Sequence, residues 1–409
     1  MKILQVNKFN YLRGGAEKYF IAFSQKLEKE GHEVALFSMH HPKNIPSKWS
    51  PYFVSHVSFT EGGFFQKVRA SFRLLYSFEA KRKFKKLLDD FKPDVVHLHN
   101  IYHQISPSIL SLLKKNNIPA VMHLHDYKLI CPNYSFWENG KMLDECAAPN
   151  YYRCFIHKCF KNSYFKSLLV TIEMYLHHTI LKLYEKNIDV YISPSTFLKN
   201  VCVRFGVPAE KIKVVPNFFE PISEETKNIP SNKLLYVGRL SEEKGVDILI
   251  NALALTKNKY SLEIVGSGPR ETAYKQLVST LGLGDYITFS GHLEGEQLRD
   301  AYQRRGILVI PSVCLENMPF VLFEAMAYGL MPIVSQTGGL PEIIKERENG
   351  LTFPLGRADL LAKILDSLTI ESITSMATSA KKDAQMYTLD HHYPLIFSLY
   401  QQILKKQEG

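Results

Sequence analysis

The sequence predicts an α/β protein built from two doubly wound parallel-sheet domains. Short apolar runs alternate with helical patterns along the chain, which is typical of parallel sheets flanked by helices. A length of 409 residues is that of two domains, each large enough for its own core. The segment Val214–Lys233 is rich in Pro, Ser, Asn and Glu and separates two sets of apolar runs. We therefore interpret it as an interdomain linker.

Each predicted strand is an apolar run of three to five residues. Those of the first half are Lys2–Val6, Val34–Ser38, Val95–His99, Ala120–Leu124, Val190–Ser193 and Lys213–Val215. Those of the second half are Leu234–Val237, Ser261–Val265, Tyr286–Phe289, Ile307–Ile310 and Met331–Val334. In such folds ligands bind at the carboxyl ends of the strands, so we expect these ends to line a cleft. Residues 131–185 fit the alternation poorly and are interpreted as an insertion, with a helical region over Ser163–Glu185.

Charge is distributed unevenly between the two halves. Residues 1–216 hold 31 Lys and Arg against 17 Asp and Glu, although the whole chain has a net charge of +10. The densest basic run, Lys81–Leu88, follows an aromatic-rich stretch. This pattern suits an anionic membrane surface or a polyanionic acceptor, and the alternative is a solvated, lysine-rich helix face. No window approaches 18 apolar residues and the first residues do not form a signal peptide, so a cytoplasmic location is expected.

The segment around Glu316 and Glu324 carries the strongest chemical pattern. Pro319 suits the first turn of a helix, which places Phe320–Tyr328 in that helix, Glu316 before it and Glu324 one turn inside. Free backbone N–H groups and two acceptors then point at one place, which suits a ligand with phosphate and sugar hydroxyls. The alternative is a core helix with two solvated glutamates.

Arg239 and Lys244 lie five residues apart on a loop between a predicted strand and a helix. Gly238 allows the tight turn before them. Two cations at this place could clamp a diphosphate, the arginine as a planar fork and the lysine as a point charge. The alternative is a pair of surface cations that neutralise Glu242 and Glu243.

Glycines mark further loops at strand ends. Gly14 and Gly15 precede the first predicted helix and would let backbone amides approach a ligand closely. Gly266 lies in IVGSGP after the second strand of the C-terminal half. Neither loop carries G-x-G-x-x-G with a following acidic residue, which disfavours an NAD-dependent oxidoreductase.

A His-Asp pair ends the fourth predicted strand. His125 could donate to a sugar hydroxyl, and Asp126 could orient it or accept from the acceptor. A histidine at a strand end is more often a satisfied structural residue. His97, His99 and Asn100 end a neighbouring strand and would line the same edge more loosely.

Four cysteines cluster within 29 residues: Cys131, Cys146, Cys154 and Cys159. In a reducing compartment such clustering indicates a metal, and a tetrathiolate zinc site with a structural role would tolerate this spacing. His157 is a rival ligand, and the alternative is a set of buried or free thiols.

In order along the chain, GGAE, HDY, GR-x4-K, E-x7-E and GGLPE span residues 14 to 342. This set resembles the retaining, GT-B-fold glycosyltransferases of family 4, also called glycosyl transferases group 1, of the bacterial polysaccharide and O-antigen type. The resemblance implies two Rossmann-like domains that face a central cleft. The acceptor domain would cover residues 1–216, the nucleotide-sugar donor domain residues 217–389, and a helix over residues 390–409 would cross back to the first domain.

The resemblance also implies roles for residues. Glu316, His125, Arg239 and Lys244 would be catalytic. The donor would be bound by Gly14, Gly15, Gly238, Arg239, Lys244, Gly266, Leu293, Glu316, Asn317, Met318, Pro319, Phe320 and Glu324. Among these, Glu324 would hold the ribose hydroxyls, Glu316 the hydroxyls of the transferred sugar, and the two cations the leaving diphosphate.

The expected reaction moves a sugar from a nucleotide-diphosphate sugar to a glycan or an undecaprenyl-linked glycan in capsule or O-antigen synthesis. No cofactor is expected for catalysis, because the two cations replace a divalent metal. The expected partners are the donor, the acceptor and an anionic membrane surface, with no nucleic acid. Peripheral attachment at the inner face of the plasma membrane would follow. The alternatives are an epimerase-type GT-B enzyme and a non-catalytic nucleotide- or glycan-binding subunit.

Overall fold

The computed structural model describes residues 1–57, 64–138, 140–142, 144–220 and 231–408. These residues form two compact units. Unit 1 comprises Met1–Pro216 together with the chain from Leu389 onward, and unit 2 comprises Asn217–Thr388. Among the described residues, no helix combines the length and the apolar character needed to cross a bilayer.

Within its described residues, unit 1 contains a sheet of six parallel strands in the order β2-β1-β3-β4-β7-β8. These strands are β1 (Lys2–Val6), β2 (Glu33–Phe37), β3 (Val95–Leu98), β4 (Ala120–His123), β7 (Val190–Ser193) and β8 (Ile212–Val214). The central strands β3 and β4 are buried along their whole length, as strands covered by helices on both faces must be. The strand order places the carboxyl ends of β1, β3 and β4 side by side.

Helices connect these strands and cover the sheet. The helices outside the insertion are α1 (Gly15–Lys29), α2 (Phe64–Leu75), α3 (Phe78–Phe91), α4 (Leu110–Lys115), α8 (Thr196–Arg204) and α15 (Leu389–Glu408). Ser77 and Ser195 cap α3 and α8, each accepting a backbone N–H of the first turn. The last helix, α15, belongs to unit 1 and contacts α1.

The insertion after β4 is mostly helical. It contains the strand pair β5 (Trp137–Glu138) and β6 (Lys141–Met142), then α5 (Tyr152–Ile156), α6 (Tyr164–Met174) and α7 (Leu183–Asn187). A π-helical segment, Tyr175–Ile180, continues α6, so the predicted helical region over Ser163–Glu185 is present but changes its hydrogen-bond pattern. Ser163 caps α6.

Over residues 231–388, unit 2 forms a second sheet of six parallel strands in the order β11-β10-β9-β12-β13-β14. Its strands are β9 (Leu234–Val237), β10 (Leu262–Val265), β11 (Ile287–Gly291), β12 (Ile307–Ile310), β13 (Met331–Ser335) and β14 (Leu351–Phe353). Its helices are α9 (Val246–Leu255), α10 (Glu271–Thr280), α11 (Gly295–Gln303), α12 (Phe320–Ala327), α13 (Ala358–Asp366) and α14 (Ile370–Ala384). Apolar clusters lie on both faces of this sheet.

The predicted fold class is confirmed, and every predicted strand is present within two residues of its expected bounds. The sequence did not predict β14 or the β5–β6 pair, each of which has three residues or fewer per strand. The predicted linker begins within β8 at Val214, and its residues 221–230 lie outside the described residues.

Gly266 allows two loops of unit 2 to approach each other. Its φ is +134°, a conformation that residues with a side chain rarely adopt. A Cβ at this position would lie 1.9 Å from the carbonyl oxygen of Gly238. The loops that follow β9 and β10 therefore meet through backbone atoms alone.

Replacing Gly266 by Ala should destabilise unit 2 by about 3 kcal/mol, because it adds a backbone clash to an unfavourable φ. Gly284→Ala is the matched control, because no atom lies within 4 Å of the added methyl group and that residue is exposed. Urea unfolding of the two variants measures the difference. Equal stability of the two variants would contradict the assignment of a backbone contact at Gly266.

Candidate functional site

The carboxyl ends of β9 and β12 in unit 2 bring an ion pair together. Lys244 follows β9 and its Nζ lies 2.5 Å from Oε1 of Glu316, which follows β12. Burial alone would lower the pKa of Lys244, but the Glu316 carboxylate outweighs it and raises that pKa well above its usual range. Lys244 therefore carries its charge at neutral pH, and it donates to Glu316.

Further contacts fix the position of Glu316. Ser312 donates to the same Oε1 at 2.6 Å, and the N–H of Gly339 donates to the backbone oxygen of Glu316 at 2.9 Å. Gly338 has a φ of +59°, and a Cβ there would lie 2.1 Å from that backbone oxygen. The GGLPE loop is thus a backbone support for Glu316.

The cations of this loop do not pair with the neighbouring glutamates. Glu243 accepts from Ser241 at 2.6 Å, and Glu242 pairs with Arg270 at 3.3 Å. Arg239 is exposed, with its backbone oxygen held by the hydroxyl of Tyr236 at 2.9 Å. The two predicted clamp residues therefore differ, because Lys244 is engaged within the protein and Arg239 faces solvent.

The backbone just before α12 has an unusual conformation, and one of its side chains is buried without a partner. Met318 has a φ of +59°, which is costly for a residue with a side chain, and Asn217 donates to its carbonyl oxygen at 2.9 Å. Both amide atoms of Asn317 are buried and have no hydrogen-bond partner within the described part of the chain. Because unpaired buried polar atoms are costly, Asn317 is a binding candidate.

The remaining predicted donor residues hold looser positions. Glu324 lies one turn inside α12 and accepts from the hydroxyl of Tyr302 at 2.9 Å, and Tyr302 stacks on Tyr328. Leu293 packs partly against the core of unit 2. Pro319 precedes the first residue of α12, Phe320, so the predicted helix start agrees with the structure to one residue.

In unit 1, the glycine pair begins α1. Gly14 has an extended backbone (φ −171°), so this position does not require glycine for its conformation. A Cβ there would meet only the carboxylate of Glu17 at 3.6 Å, so the pair leaves an open approach to the N-terminus of α1. Arg13 is exposed beside these glycines, with its guanidinium over the ring of Phe9.

Lys8 is a candidate that the sequence analysis missed. Its ammonium group lies 3.8 Å from the centre of the Tyr102 ring. Burial lowers the pKa of Lys8 to about 8, although Asp126 and Glu17 oppose the change. Its position directly after β1 was the available signal, because residues after the first strand of such a sheet lie at the ligand-binding edge.

His125 and Asp126 lie at the carboxyl end of β4 and line a small pocket in unit 1. The pocket is lined by Asn100, Tyr102, Met122, His123, Leu124, His125, Asp126, Lys128, Leu129 and Tyr184. The hydroxyl of Tyr102 donates to one oxygen of Asp126, and the backbone N–H of Lys128 donates to the other. Both carboxylate oxygens are thus engaged, which favours an orienting role for Asp126.

Buried histidines form a stacked row behind His125. The rings of His97 and His99 lie 4.4 Å apart, and those of His123 and His125 lie 4.5 Å apart. The ring of Tyr19 packs against all four. Burial lowers the pKa of each of His97, His99 and His125, the last to about 3. These imidazoles are neutral at physiological pH.

A buried ionic cluster beside the pocket was also missed. Glu173 of α6 is fully buried and lies 2.7 Å from Nζ of Lys128 and 3.4 Å from Nε2 of His103. Burial alone would raise the pKa of Glu173, but Lys128 and His103 hold it well below its usual range. This cluster ties the insertion to the loop that carries His125. No spacing in the sequence links these three residues.

The zinc site predicted at the four cysteines of the insertion stays a prediction. Cys131, Cys146, Cys154 and Cys159 are all buried, free thiols. The described residues contain no group of three or more His, Cys, Asp or Glu side chains that could hold a metal. The sulfurs of Cys146 and Cys159 lie 2.8 Å apart. The rival ligand His157 is exposed and faces Glu145. Three of the four, Cys146, Cys154 and Cys159, pack with Val170 in a small apolar cluster.

Two Rossmann-like units, each with polar side chains at the carboxyl edge of its sheet, define the GT-B class of proteins. The family model described as Glycosyltransferase Family 4 matches residues 13–221. The model described as Glycosyl transferases group 1 matches residues 219–385. The chain therefore belongs to the family 4, group 1 glycosyltransferases, and the recognition made from its motifs is confirmed.

Relatives by sequence include an uncharacterised protein from the cps region of Klebsiella pneumoniae, 24% identical over 84% of this chain and 87% of that protein. The amylovoran biosynthesis glycosyltransferase AmsK of Erwinia amylovora is 29% identical over 45% of this chain and 48% of its own. A Methanocaldococcus jannaschii glycosyltransferase is 34% identical over 42% of this chain and also 48% of its own. The last two alignments thus span about half of each relative's length.

A solved structure shares the fold across almost the whole chain. Anabaena HepE, crystallised with UDP and glucose, superposes with a TM-score of 0.67 over 98% of this chain and 100% of that one. The sequence identity is 17%, so this likeness establishes the fold and no more.

Four buried histidines of unit 1 predict a loss of stability in mild acid. Burial lowers the pKa of His97, His99, His125 and His392 in the folded chain, to about 3 for the last two. Unfolded histidine has a pKa near 6.5, so below that pH the unfolded chain binds protons that the folded chain does not. The free energy of unfolding should therefore decrease as the pH is lowered below 6.5, with a slope that approaches about 1.4 kcal/mol per pH unit for each histidine.

Trp49 and Trp137, the two tryptophans of the chain, both lie in unit 1, so their fluorescence follows the unfolding of that unit in urea at pH 7.5, 6.5 and 5.5. His392→Gln removes one of the four histidines and should reduce the dependence of the free energy of unfolding on pH by the contribution of that histidine. A free energy of unfolding that is constant between pH 6.5 and 5.5 would contradict the prediction.

Proposed function

We propose that this glycosyltransferase moves a sugar, with retention of its anomeric configuration, from a nucleotide-diphosphate sugar to a glycan or lipid-linked glycan of a cell-surface polysaccharide. The observation that carries the donor side is the Lys244–Glu316 pair, which is supported from behind by Ser312 and Gly338. The amylovoran role in the name of AmsK and the cps origin of the Klebsiella relative support the polysaccharide setting. The UDP complex of HepE supports a nucleotide-sugar donor.

Each donor residue has a role that its contacts favour. Glu316 accepts from Lys244 and Ser312 and so acts as an acceptor for hydroxyls of the transferred sugar. Asn317 brings two unsatisfied amide atoms to the same segment. Glu324 holds the ribose hydroxyls, and its bond from Tyr302 orients it. Gly14 and Gly15 leave the N-terminus of α1 open to an anionic or hydroxyl-bearing ligand.

The leaving diphosphate needs positive charge. Arg239 is exposed and can bind it as a fork, while Lys244 supplies a fixed ammonium group. Together with Gly238 and Gly266, which bring backbone atoms close, these cations stabilise the charge that develops on the phosphate oxygens. We propose that they do so without a divalent metal. Because Glu316 is already paired with Lys244, we assign it no role as nucleophile. We therefore propose that the acceptor hydroxyl attacks the sugar from the face that the diphosphate leaves.

The acceptor is proposed to bind at the carboxyl edge of the unit 1 sheet. The pocket there combines His125 and Asp126 with Lys128, and Lys8 lies against the same Tyr102. Lysines beside a pocket with neutral imidazoles suit a sugar whose hydroxyls are read by His125 and whose diphosphate is neutralised by the lysines.

The donor assignment predicts that Arg239→Ala lowers the rate of sugar transfer by about 100-fold, because a charge that stabilises the leaving group is lost. Arg239 is exposed, so the melting temperature of the ligand-free protein should not change. Lys275→Ala is the matched control, since Lys275 is an exposed cation of unit 2 that pairs with Glu271. Transfer assays with a panel of UDP- and GDP-sugars, chosen by thermal stabilisation, measure the effect.

Glu324→Gln tests the second wall of the same site. It should weaken the thermal stabilisation by the chosen donor, while stabilisation of the Lys275→Ala protein stays at the original value. If Arg239→Ala and Glu324→Gln both transferred sugar at the original rate, the donor-site assignment would be wrong.

Membrane attachment is proposed through the insertion. Phe165, Leu168 and Ile172 lie at helical spacing on α6 and are 71%, 41% and 45% exposed. Phe155 and Ile156 of α5 are exposed as well, and α5 contacts α6, so the patch is continuous. We call these five side chains the α5–α6 patch. An exposed apolar patch of this kind marks a site of interaction.

The charges around the α5–α6 patch indicate an anionic partner. Between residues 151 and 182 the chain carries five cations: Arg153, Lys158, Lys161, Lys166 and Lys182. The carboxylate in that stretch is Glu173, which is fully buried. Arg153 pairs with Glu145 at 2.9 Å. Exposed apolar side chains in a stretch with this excess of lysines suit the surface of an anionic bilayer.

The basic run of α3, on which the sequence analysis placed the membrane contact, is largely engaged elsewhere. Lys83 donates to the backbone oxygen of Phe53 and pairs with the carboxylate of Glu79. Lys85 pairs with Asp89 at 2.6 Å. These internal partners favour the alternative of a solvated helix face for that run.

Replacing Phe165 and Leu168 together by Ser should reduce co-sedimentation with phosphatidylglycerol-containing vesicles at least about fivefold, because each buried apolar side chain contributes roughly 1.5–3 kcal/mol. The control replaces two exposed leucines of unit 2, Leu281 and Leu355, by Ser. Added salt should weaken binding of the original protein. Equal binding to purely zwitterionic vesicles, or equal loss in both double variants, would remove this role from the α5–α6 patch.

A further inference from the structure

A chain of buried hydrogen bonds leads from His125 into the sheet of unit 1. Nε2 of His125 lies 2.9 Å from Nδ1 of His99, and Nε2 of His99 lies 2.8 Å from Oε1 of Gln5. Gln5 is on β1, His99 follows β3 and His125 follows β4, and these three strands are neighbours in the sheet. Gln5 and His99 have no solvent exposure. Water therefore does not compete for these bonds.

The protons along this chain can be assigned in sequence. A neutral imidazole has one N–H and one nitrogen lone pair, and an amide oxygen can only accept. His99 must then donate from Nε2 to Gln5, which leaves its Nδ1 as an acceptor. His125 must donate from Nε2 to that acceptor, which leaves Nδ1 of His125 with its lone pair.

The orientation of the Gln5 amide decides the direction of the whole chain, because a rotated amide would reverse both donors. In this structure Oε1 of Gln5 faces His99, 2.8 Å from its Nε2. The amide nitrogen of Gln5 is buried and has no hydrogen-bond partner among the described residues. The tautomer of His125 therefore reports the orientation of this amide directly.

Packing holds the ring of His125 in this register. The ring of His123 stacks on it at 4.5 Å between centroids and 18° between planes, and the ring of Tyr19 meets it edge-on at 5.4 Å. A ring clamped in this way presents a fixed nitrogen to the pocket.

We propose that Gln5 and His99 are positioning residues that fix His125 as the Nε2–H tautomer, so that its Nδ1 accepts a hydrogen bond from a hydroxyl of the bound sugar. This inference rests on the proposed function only in placing a sugar beside His125. It reverses the expectation from the sequence that His125 donates to such a hydroxyl. Neither Gln5 nor His99 touches the substrate in this role.

The hydrogen-bonded chain from Gln5 through His99 to His125 is called the relay below. The first test measures the tautomer of His125 while Gln5 and His99 are unchanged. In protein labelled with ¹⁵N-histidine, protonated and unprotonated ring nitrogens of neutral imidazole resonate far apart, and His125→Gln identifies the signals of His125. A protonated Nε2 and an unprotonated Nδ1 at pH 7.5 are expected. A protonated Nδ1 would overturn the inference whatever the protein's activity.

The second test removes the acceptor with Gln5→Met, which keeps length and volume. The His125 signals should then report a mixture of tautomers, and kcat should fall about tenfold with the KM for the donor changed less than twofold. Tyr260→Phe is the matched control, since it removes an equally buried hydrogen bond, the one to the backbone oxygen of Leu365 in unit 2. An unchanged tautomer in Gln5→Met, or an equal loss of kcat in Tyr260→Phe, would refute the positioning role.

The two proposals fail differently. If His125→Gln transfers sugar at the original rate, the site assignment is wrong, and the tautomer measurement is unaffected. If His125→Gln is inactive while the resonances show a protonated Nδ1, the site assignment holds and the relay is wrong.

Discussion

The ion pair between Lys244 and Glu316 is the constraint on which the donor side of this glycosyltransferase depends. It joins the loops after β9 and β12, two strands that are neighbours in the sheet, across 72 residues of sequence. With Lys244 paired, Glu316 is held as an acceptor, and Gly338 can approach its backbone because no Cβ is present. The same pair leaves Arg239 as the exposed cation of the GR-x4-K motif. Of the two cations, Lys244 is therefore held inside the protein and Arg239 is open to solvent.

The sheet edge of unit 1 differs from that of unit 2 in its electrostatics. It buries several imidazoles, and these stay neutral because burial lowers the pKa of each. Neutral rings stack and share protons without the cost of burying charge. Four charged side chains lie beside the row: Lys128 pairs with Glu173, and the Asp126 carboxylate opposes the lowering of the pKa of Lys8. The pocket therefore combines uncharged donors and acceptors with nearby fixed charges, a combination suited to an acceptor with many hydroxyls.

Much of the fold could be predicted from sequence, because the periodicity of apolar residues agrees with the prolines and glycines that mark the ends of elements. Pro319 and Gly329 bracket the helix after Glu316, and the structure places α12 within a residue of that prediction. The partners of Lys244 could not be predicted, since Glu242, Glu243 and Glu316 all lay within reach of an extended lysine. The α5–α6 patch was missed for a related reason: α6 is apolar on two faces, and sequence does not tell which face another element covers. The relay from Gln5 to His125 joins residues of three strands, and no regular spacing in the sequence connects these residues.

Helix α6 has a further consequence through its two faces. One face presents Phe165 and Leu168, and the other buries Glu173, which holds Lys128 two residues beyond Asp126. A helix with its side chains is about 10–12 Å across. With α6 lying on a bilayer, the loop of His125 would therefore stand about one helix diameter above the lipid surface. Such an enzyme would select its acceptor by height as well as by chemistry, favouring a sugar a short distance above its lipid anchor over one at the end of a long glycan.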